Sequence, residues 1–218
     1  MPSRLHGFAL SPRRAARWLG VLGVALLVGA SAYFLERLLG FRSPAFAFTL
    51  HFVLMTGAVY VDMLLAPQLS SRRFEVSARE LRIYRSFGVV GFMRLLQRIG
   101  WHKAMRDPKV FDGTRRTLAS YEHATRHGEN AHAWLFAIVL LPTAWAVAHG
   151  WWDAAFWLTS MSVVFHAYPV MLQRTQRARL LALLGRRRES AGSDLPVEPP
   201  ANRLGLSVEK PGRQAGSP

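Results

Sequence analysis

Long apolar runs separated by short polar punctuation occupy the first third of the chain and recur between residues 131 and 172. A helix rising about 1.5 Å per residue needs roughly 20 apolar residues to cross about 30 Å of hydrocarbon. Four runs approach that length: 18–39, with Glu36 and Arg37 at its wet end; 44–66, which contains His51 and Asp62; 131–149; and 151–172. Gly150 and the tryptophan pair Trp151 and Trp152 are all that turns the chain between the last two, so these form a helical hairpin. The pattern predicts an all-α integral membrane protein of about four transmembrane helices.

Between spans two and three the period changes. From Arg79 to Arg98, apolar and basic residues alternate at helical spacing, which predicts an amphipathic helix lying in the interface with its arginines among headgroups. Val89, Val90, Phe92, Met93, Leu95 and Leu96 supply the face that needs burial. After Arg188 the chain turns rich in Pro, Gly and Ser, and a disordered tail is expected over 189–218. The expected organisation is a basic amino-terminal segment 1–17, a four-span membrane domain 18–188 and that tail.

Charge orients the spans. The 218 residues carry a formal net charge of +15, which in a chain with such apolar runs points to a membrane surface and anionic lipid rather than to nucleic acid. Arg4, Arg13, Arg14 and Arg17 precede span one, eleven Arg and two Lys lie within 67–130, and Arg174, Arg177, Arg179 and Arg186 to Arg188 follow span four. The positive-inside rule then places both termini and the middle segment in the cytoplasm of a multi-pass, bacterial-type cell membrane protein. The basic start, apolar run and Ala30-Ser31-Ala32 of span one also fit a cleavable signal peptide. Retention is expected, because the residues beyond such a cleavage point run almost directly into the next span. The chain has no cysteine, which excludes disulfides, thiolate metal sites and a cysteine nucleophile.

This topology gathers polar residues at the cytoplasmic edge, where ionisable groups are costly and mark function by default. Span three opens after Thr125-Arg126-His127-Gly128-Glu129-Asn130-Ala131-His132, and span four closes through His166, Gln173, Arg174, Arg177 and Arg179. Glu129 and His132 are one helical turn apart, so the carboxylate is expected to orient the imidazole as a base. Arg126 extends that face, His166 and Gln173 share another two turns apart, and Asp62 can join from span two. The arginines would seat a phosphate or an oxyanion. A purely structural set that caps helices and fixes depth is the competing reading. His51 reads as a satisfied core histidine.

Two further patterns carry little weight. His102 and Asp107 have an HxxxxD spacing that eight His and five Asp produce readily by chance. His123, His127 and His132 lack the carboxylate pattern of a metal site, so no metal is expected. Nothing indicates a bound cofactor.

From about Leu96 to Leu184 the chain resembles the glycosyl-4,4'-diaponeurosporenoate acyltransferases, small bacterial membrane proteins of staphyloxanthin-type carotenoid synthesis. Ile99–Pro108 is similar to a Trp-Lys block of that family, Thr125–His132 to its Thr-Arg-x-x-Glu-x-x-His block, and Tyr168–Leu180 to its closing Gln-Arg-x-Asn-Arg-x-Arg block. Gln176 stands where the pattern has Asn, and Ala178 where Pro is usual. The resemblance implies transfer of a fatty acyl group from an activated carrier, acyl-CoA, to a hydroxyl of a lipid-soluble acceptor such as a glycosylated carotenoid. His132 would be the base, Glu129 its orienting acid, and Arg126, Arg174 and Arg177 the carrier seat. The residues alone leave open a methyltransferase-type lipid-modifying enzyme and a non-catalytic protein binding anionic lipid or a partner.

Overall fold

The computed structural model describes residues 11–70, 72–101 and 110–193, with side chains through Gly185. The Ile99–Pro108 block in large part, including His102, Lys103 and Asp107, the side chains of Arg186 to Arg188, and the segment 194–218 lie outside the described residues. Among those described there is no strand. Four helical rods are long and apolar enough to cross a membrane.

Helix α1 (Pro12–Leu39) starts earlier than the apolar run, because Ser11-Pro12 supplies a ready helix start. It takes in Arg13, Arg14 and Arg17, so residues 12–17 of the segment expected to precede span one are part of its helix. It stops at Gly40, whose φ of 76° breaks the helix. Helix α2 (Pro44–Leu65) begins with Ser43 Oγ accepting from Phe46 N at 3.0 Å and Pro44 in the first turn. The two pack as an antiparallel hairpin in which Gly57 admits Val28 and Gly20 admits Leu64. Ala32, Leu35 and Leu39 of α1 then rest on the central core of Phe46, Ala47, Leu50, Val139 and Leu158.

The middle segment is two short helices rather than one. Helix α3 (Ala78–Ser86) opens with a capping box, Glu80 N to Ser77 Oγ at 3.2 Å and Ser77 N to Glu80 Oε2 at 2.7 Å. Helix α4 (Val89–Arg98) follows a break at Gly88, which sits at φ 74°. The break lets the pair bend around the bundle: Val89 is buried, Phe92 packs on Tyr168 at 4.9 Å, and the Tyr168 hydroxyl donates to Phe87 O at 2.9 Å. Phe87, Leu95, Ile99 and Trp101 remain exposed, which suits the interfacial placement.

Helix α5 (Leu118–Ala148) is 31 residues long, about 46 Å. That exceeds the hydrocarbon thickness, so the span expected at 131–149 is the inner part of a helix whose first three turns rise out of the bilayer. Helix α6 (Trp152–Ser162) passes through a π-helical turn, Val163–Ala167, directly into α7 (Tyr168–Ser193). This rod continues well past Leu172 and runs alongside the emergent part of α5. At the other end, Gly150 turns the chain at φ 70°, Phe41 packs on Trp151, and Arg42 pairs with Asp153 at 2.9 Å.

Candidate active site

Two polar clusters lie where α5 meets the α6–α7 rod. The first surrounds Glu129, which is buried along with Thr125. Arg174 Nη1 donates to Glu129 Oε1 at 2.7 Å, and Arg177 Nη2 donates to the other oxygen. Arg177 is fully enclosed; its Nε donates to Phe74 O at 2.9 Å. Arg174 reaches further, to Arg73 O and Glu75 O at 3.0 Å and to Glu80 Oε1 at 2.8 Å. The carbonyls belong to a short 3-10 turn, Arg72–Phe74, and the residue after it. Arg73, Arg126 and Arg177 all lie over the Phe74 ring, at 4.6, 6.0 and 5.3 Å from its centroid.

These contacts form a clamp. An arginine taken out of water needs a carboxylate and carbonyls to compensate its lost hydration; Arg174 and Arg177 find both in protein groups, though Arg174 Nε and Arg177 Nη1 have no protein partner. They tie the segment before α3 onto α5 and α7. The Ser77 backbone N–H, and Arg174 beside it, hold the Glu80 carboxyl below the usual glutamate range, while burial pushes the nearby Tyr84 hydroxyl up.

The expected pairing of Glu129 with His132 is not formed. A separation of three residues leaves the two side chains about 60° apart around the helix. Glu129 therefore meets the arginines, whereas His132 meets the π turn. Arg126 does not join Glu129 either: it donates to Glu122 Oε1 and Leu69 O, both at 2.8 Å. Asp62 pairs with His127, whose Nδ1 lies 2.9 Å from both carboxylate oxygens. Gln173 packs over Gly128, where a Cβ would come within 2.7 Å of its Nε2. Arg179 is exposed, with its Nη1 3.9 Å from Met93 Sδ. With Arg85 it borders a groove between α3, α4 and α7, floored by Leu81, Val89, Val90 and Ala178.

The second cluster is a column of histidines. His132 Nδ1 lies 3.3 Å from His166 Nδ1, and the His166 ring stacks on His51 at 5.0 Å with 26° between planes. His166 and His51 are fully enclosed, while His132 is half-buried. His51 Nδ1 faces Ala47 O at 2.6 Å, but its Nε2, the Nε2 of His166 and the Ser162 hydroxyl have no protein partner. The expectation of a fully satisfied core histidine at His51 thus holds for one ring nitrogen and not for the other. The π turn presents His166: its extra residue bulges the rod and redirects the side chain toward α2 and α5. No group of three or more metal-ligating side chains able to hold a metal occurs among the described residues.

A half-buried imidazole hydrogen-bonded to a second imidazole, at the edge of an apolar bundle, is equipped for proton transfer to and from a hydroxyl. The pattern of the CrtO glycosyl-4,4'-diaponeurosporenoate acyltransferases matches residues 66–186, more than half of the chain. The chain belongs to this family. It is accordingly a membrane acyltransferase of carotenoid biosynthesis. No curated protein and no solved structure matches it. The family's stretch holds the whole clamp as well as His132 and His166. His51 and Asp62 reach the acyltransferase's polar clusters from α2, outside that stretch.

Several residues of these clusters escaped sequence reasoning. His127 follows Arg126 in the Thr125–His132 block and could have been paired with Asp62 by considering the α2–α5 contact. Phe74, preceded by Arg72 and Arg73, gives no sign in the sequence that Arg126 and Arg177 also lie over its ring. Glu80 was legible as a capping-box residue from Ser77-x-x-Glu80, though not as a partner of Arg174.

Proposed function

We propose that this acyltransferase moves a fatty acyl group from acyl-CoA to a hydroxyl of a glycosylated carotenoid lodged between its membrane helices. The observation that carries the reading is the placement of His132, half-buried below the basic rim and backed by His166. His132 takes the proton from the acceptor hydroxyl as its oxygen attacks the thioester carbonyl. The tetrahedral adduct collapses, the carbon–sulfur bond breaks, and the thiolate recovers the proton from the imidazolium. No proton is gained or lost overall.

The clamp redistributes the roles of the arginines. Arg174 and Arg177 hold the fold, and carrier phosphates meet cations that have no carboxylate partner among the described residues, foremost Arg85 and Arg179 beside their groove. Arg179 is 13 residues along the rod from His166, about 20 Å, so a donor with a long flexible arm suits the arrangement. The basic ends of the rods face the cytoplasm of a bacterial cell, with both termini inside. Exposed arginines on α3 and α4 meet anionic lipid there.

Membranes from cells with and without the protein, given labelled acyl-CoA and a glycosylated carotenoid extract, test this. Wild type yields a pigment heavier by one fatty acyl group. His132→Ala lowers the rate by about 10²- to 10⁴-fold at equal expression. Full transfer by His132→Ala would remove the base from the mechanism.

A further inference from the structure

The groove between α3, α4 and α7 is a hollow of about 180 Å³ with an apolar floor and a basic rim. Val89, Val90, Ala178 and Ala182 supply the floor, Arg85 and Arg179 the rim. Ala178 and Ala182 stand one turn apart on the same face of α7, so two methyl groups lie where longer side chains would fill the space.

The height of this groove along the rod decides what can enter it. At its far end the rod begins at Trp152, and roughly 20 residues carry it across the hydrocarbon to the neighbourhood of Leu172. Thr175 and Ala182, the nearest and farthest groove residues on α7, lie about 5 and 15 Å beyond that point. The floor is therefore past the reach of lipid tails. A phospholipid keeps its tails in the hydrocarbon and offers only a headgroup here, which has nothing for the floor. A bare anion has nothing for it either. The ligand that matches both surfaces is part apolar and part anionic, and it arrives from the water side.

The nucleotide end of an acyl-CoA has that composition, a flat base beside a run of phosphates. At about 180 Å³ the hollow is smaller than the roughly 300–1,000 Å³ of sites that enclose a drug-sized molecule, so it admits one part of the carrier and not the whole. The rest has to continue along the rod, about 20 Å from Arg179 to His166.

We infer that this groove seats the nucleotide of the acyl carrier, with the base on the apolar floor and the phosphates between Arg85 and Arg179. The inference rests on the acyl-CoA reading and deepens it: the nucleotide is held outside the hydrocarbon, while the thioester hangs down to the histidine column.

Equilibrium binding of ADP and of pyrophosphate to the full-length protein in detergent micelles, with the transfer assay beside it, tests this. Wild type should bind ADP about tenfold more tightly than pyrophosphate, because only ADP brings a base to the floor. Ala178→Leu, which fills the floor and keeps both arginines, should remove that advantage and leave pyrophosphate binding as it was. It should also raise KM for acyl-CoA about tenfold with kcat kept. Ala182→Leu, at the more exposed end of the floor, repeats the test should Ala178→Leu disturb the packing of the helices. Arg179→Gln should weaken both ligands by about tenfold. ADP bound no more tightly than pyrophosphate, or bound at full strength by an Ala178→Leu protein of wild-type melting temperature, overturns the inference. So does displacement of ADP by an equal concentration of phosphatidylglycerol, which would mark a headgroup seat. ADP binding with these responses in a protein that transfers nothing from acyl-CoA defeats the acyl-transfer reading and leaves the nucleotide seat standing. Transfer from acyl-CoA without ADP binding defeats the seat alone.

Discussion

The clamp around Glu129 and the column through His166 use the same two helical rods, yet one is built on carboxylate–guanidinium pairs and the other on imidazoles alone. In the clamp, both oxygens of Glu129 meet guanidinium groups, and those arginines also reach three backbone carbonyls. In the column no carboxylate intervenes and the rings touch one another; each cluster also keeps two enclosed nitrogens without a protein partner, Arg174 Nε and Arg177 Nη1 in the clamp and the Nε2 atoms of His51 and His166 in the column. A cluster whose charges are matched by its own protein is built to hold the chain. A cluster of imidazoles with no carboxylate among them retains ring nitrogens for chemistry.

Removing one member from each should separate the two. Glu129→Ala leaves Arg177 buried without its carboxylate and is expected to destabilise the protein by about 3–5 kcal/mol, seen as a large drop in the detergent melting temperature. The double variant Glu129→Gln with Arg177→Met should recover much of that loss. His166→Phe is expected to cost at most about 1 kcal/mol while lowering transfer roughly 100-fold. Equal melting losses at the two positions would erase the distinction.

A smaller effect tests the packing beneath the clamp. Gly128→Ala places a methyl group against Gln173 Nε2; because that amide is the end of a flexible side chain, the cost should be near 1 kcal/mol. Gln173→Ala in the same protein should relieve it, and melting curves of the three variants check this.

The smallest expected effect is one of pH. The Glu80 carboxyl is held down first by the Ser77 backbone N–H and then by Arg174. A group whose folded pKa is depressed contributes stability that is present above its unfolded value and lost as pH falls through the folded one. The tether of α3 to α7 should therefore persist through mildly acidic conditions and loosen only below the ordinary glutamate range. Limited proteolysis between residues 72 and 101 across pH would show this, and Glu80→Gln should flatten the response.

Much of this was legible in the chain. Four apolar runs give four rods, and antiparallel pairing of the last two brings Glu129 to Arg174 and Arg177 with no further information. What stayed hidden depends on rotation about helix axes. Spacing placed Glu129 and His132 on one turn, but not on one direction. It placed Asp62 at the right depth, though its partner proved to be His127. The π turn carries no Pro or Gly to announce it, so nothing in Val163–Ala167 disclosed that His166 would swing toward His51. The break at Gly88 was visible as a residue, while its effect required seeing α3 and α4 wrap the rod.

That π turn also sets a phase. Each residue advances a helix by about 100°, so the single inserted position determines how the inner half of the rod, with Ser162, is rotated against the outer half, with Arg174 and Arg177. Deleting one residue there would leave the composition and length almost unchanged, yet swing both arginines away from Glu129 while His166 left His132. The timing of one extra residue thus keeps the holding end and the reacting end of the acyltransferase in step.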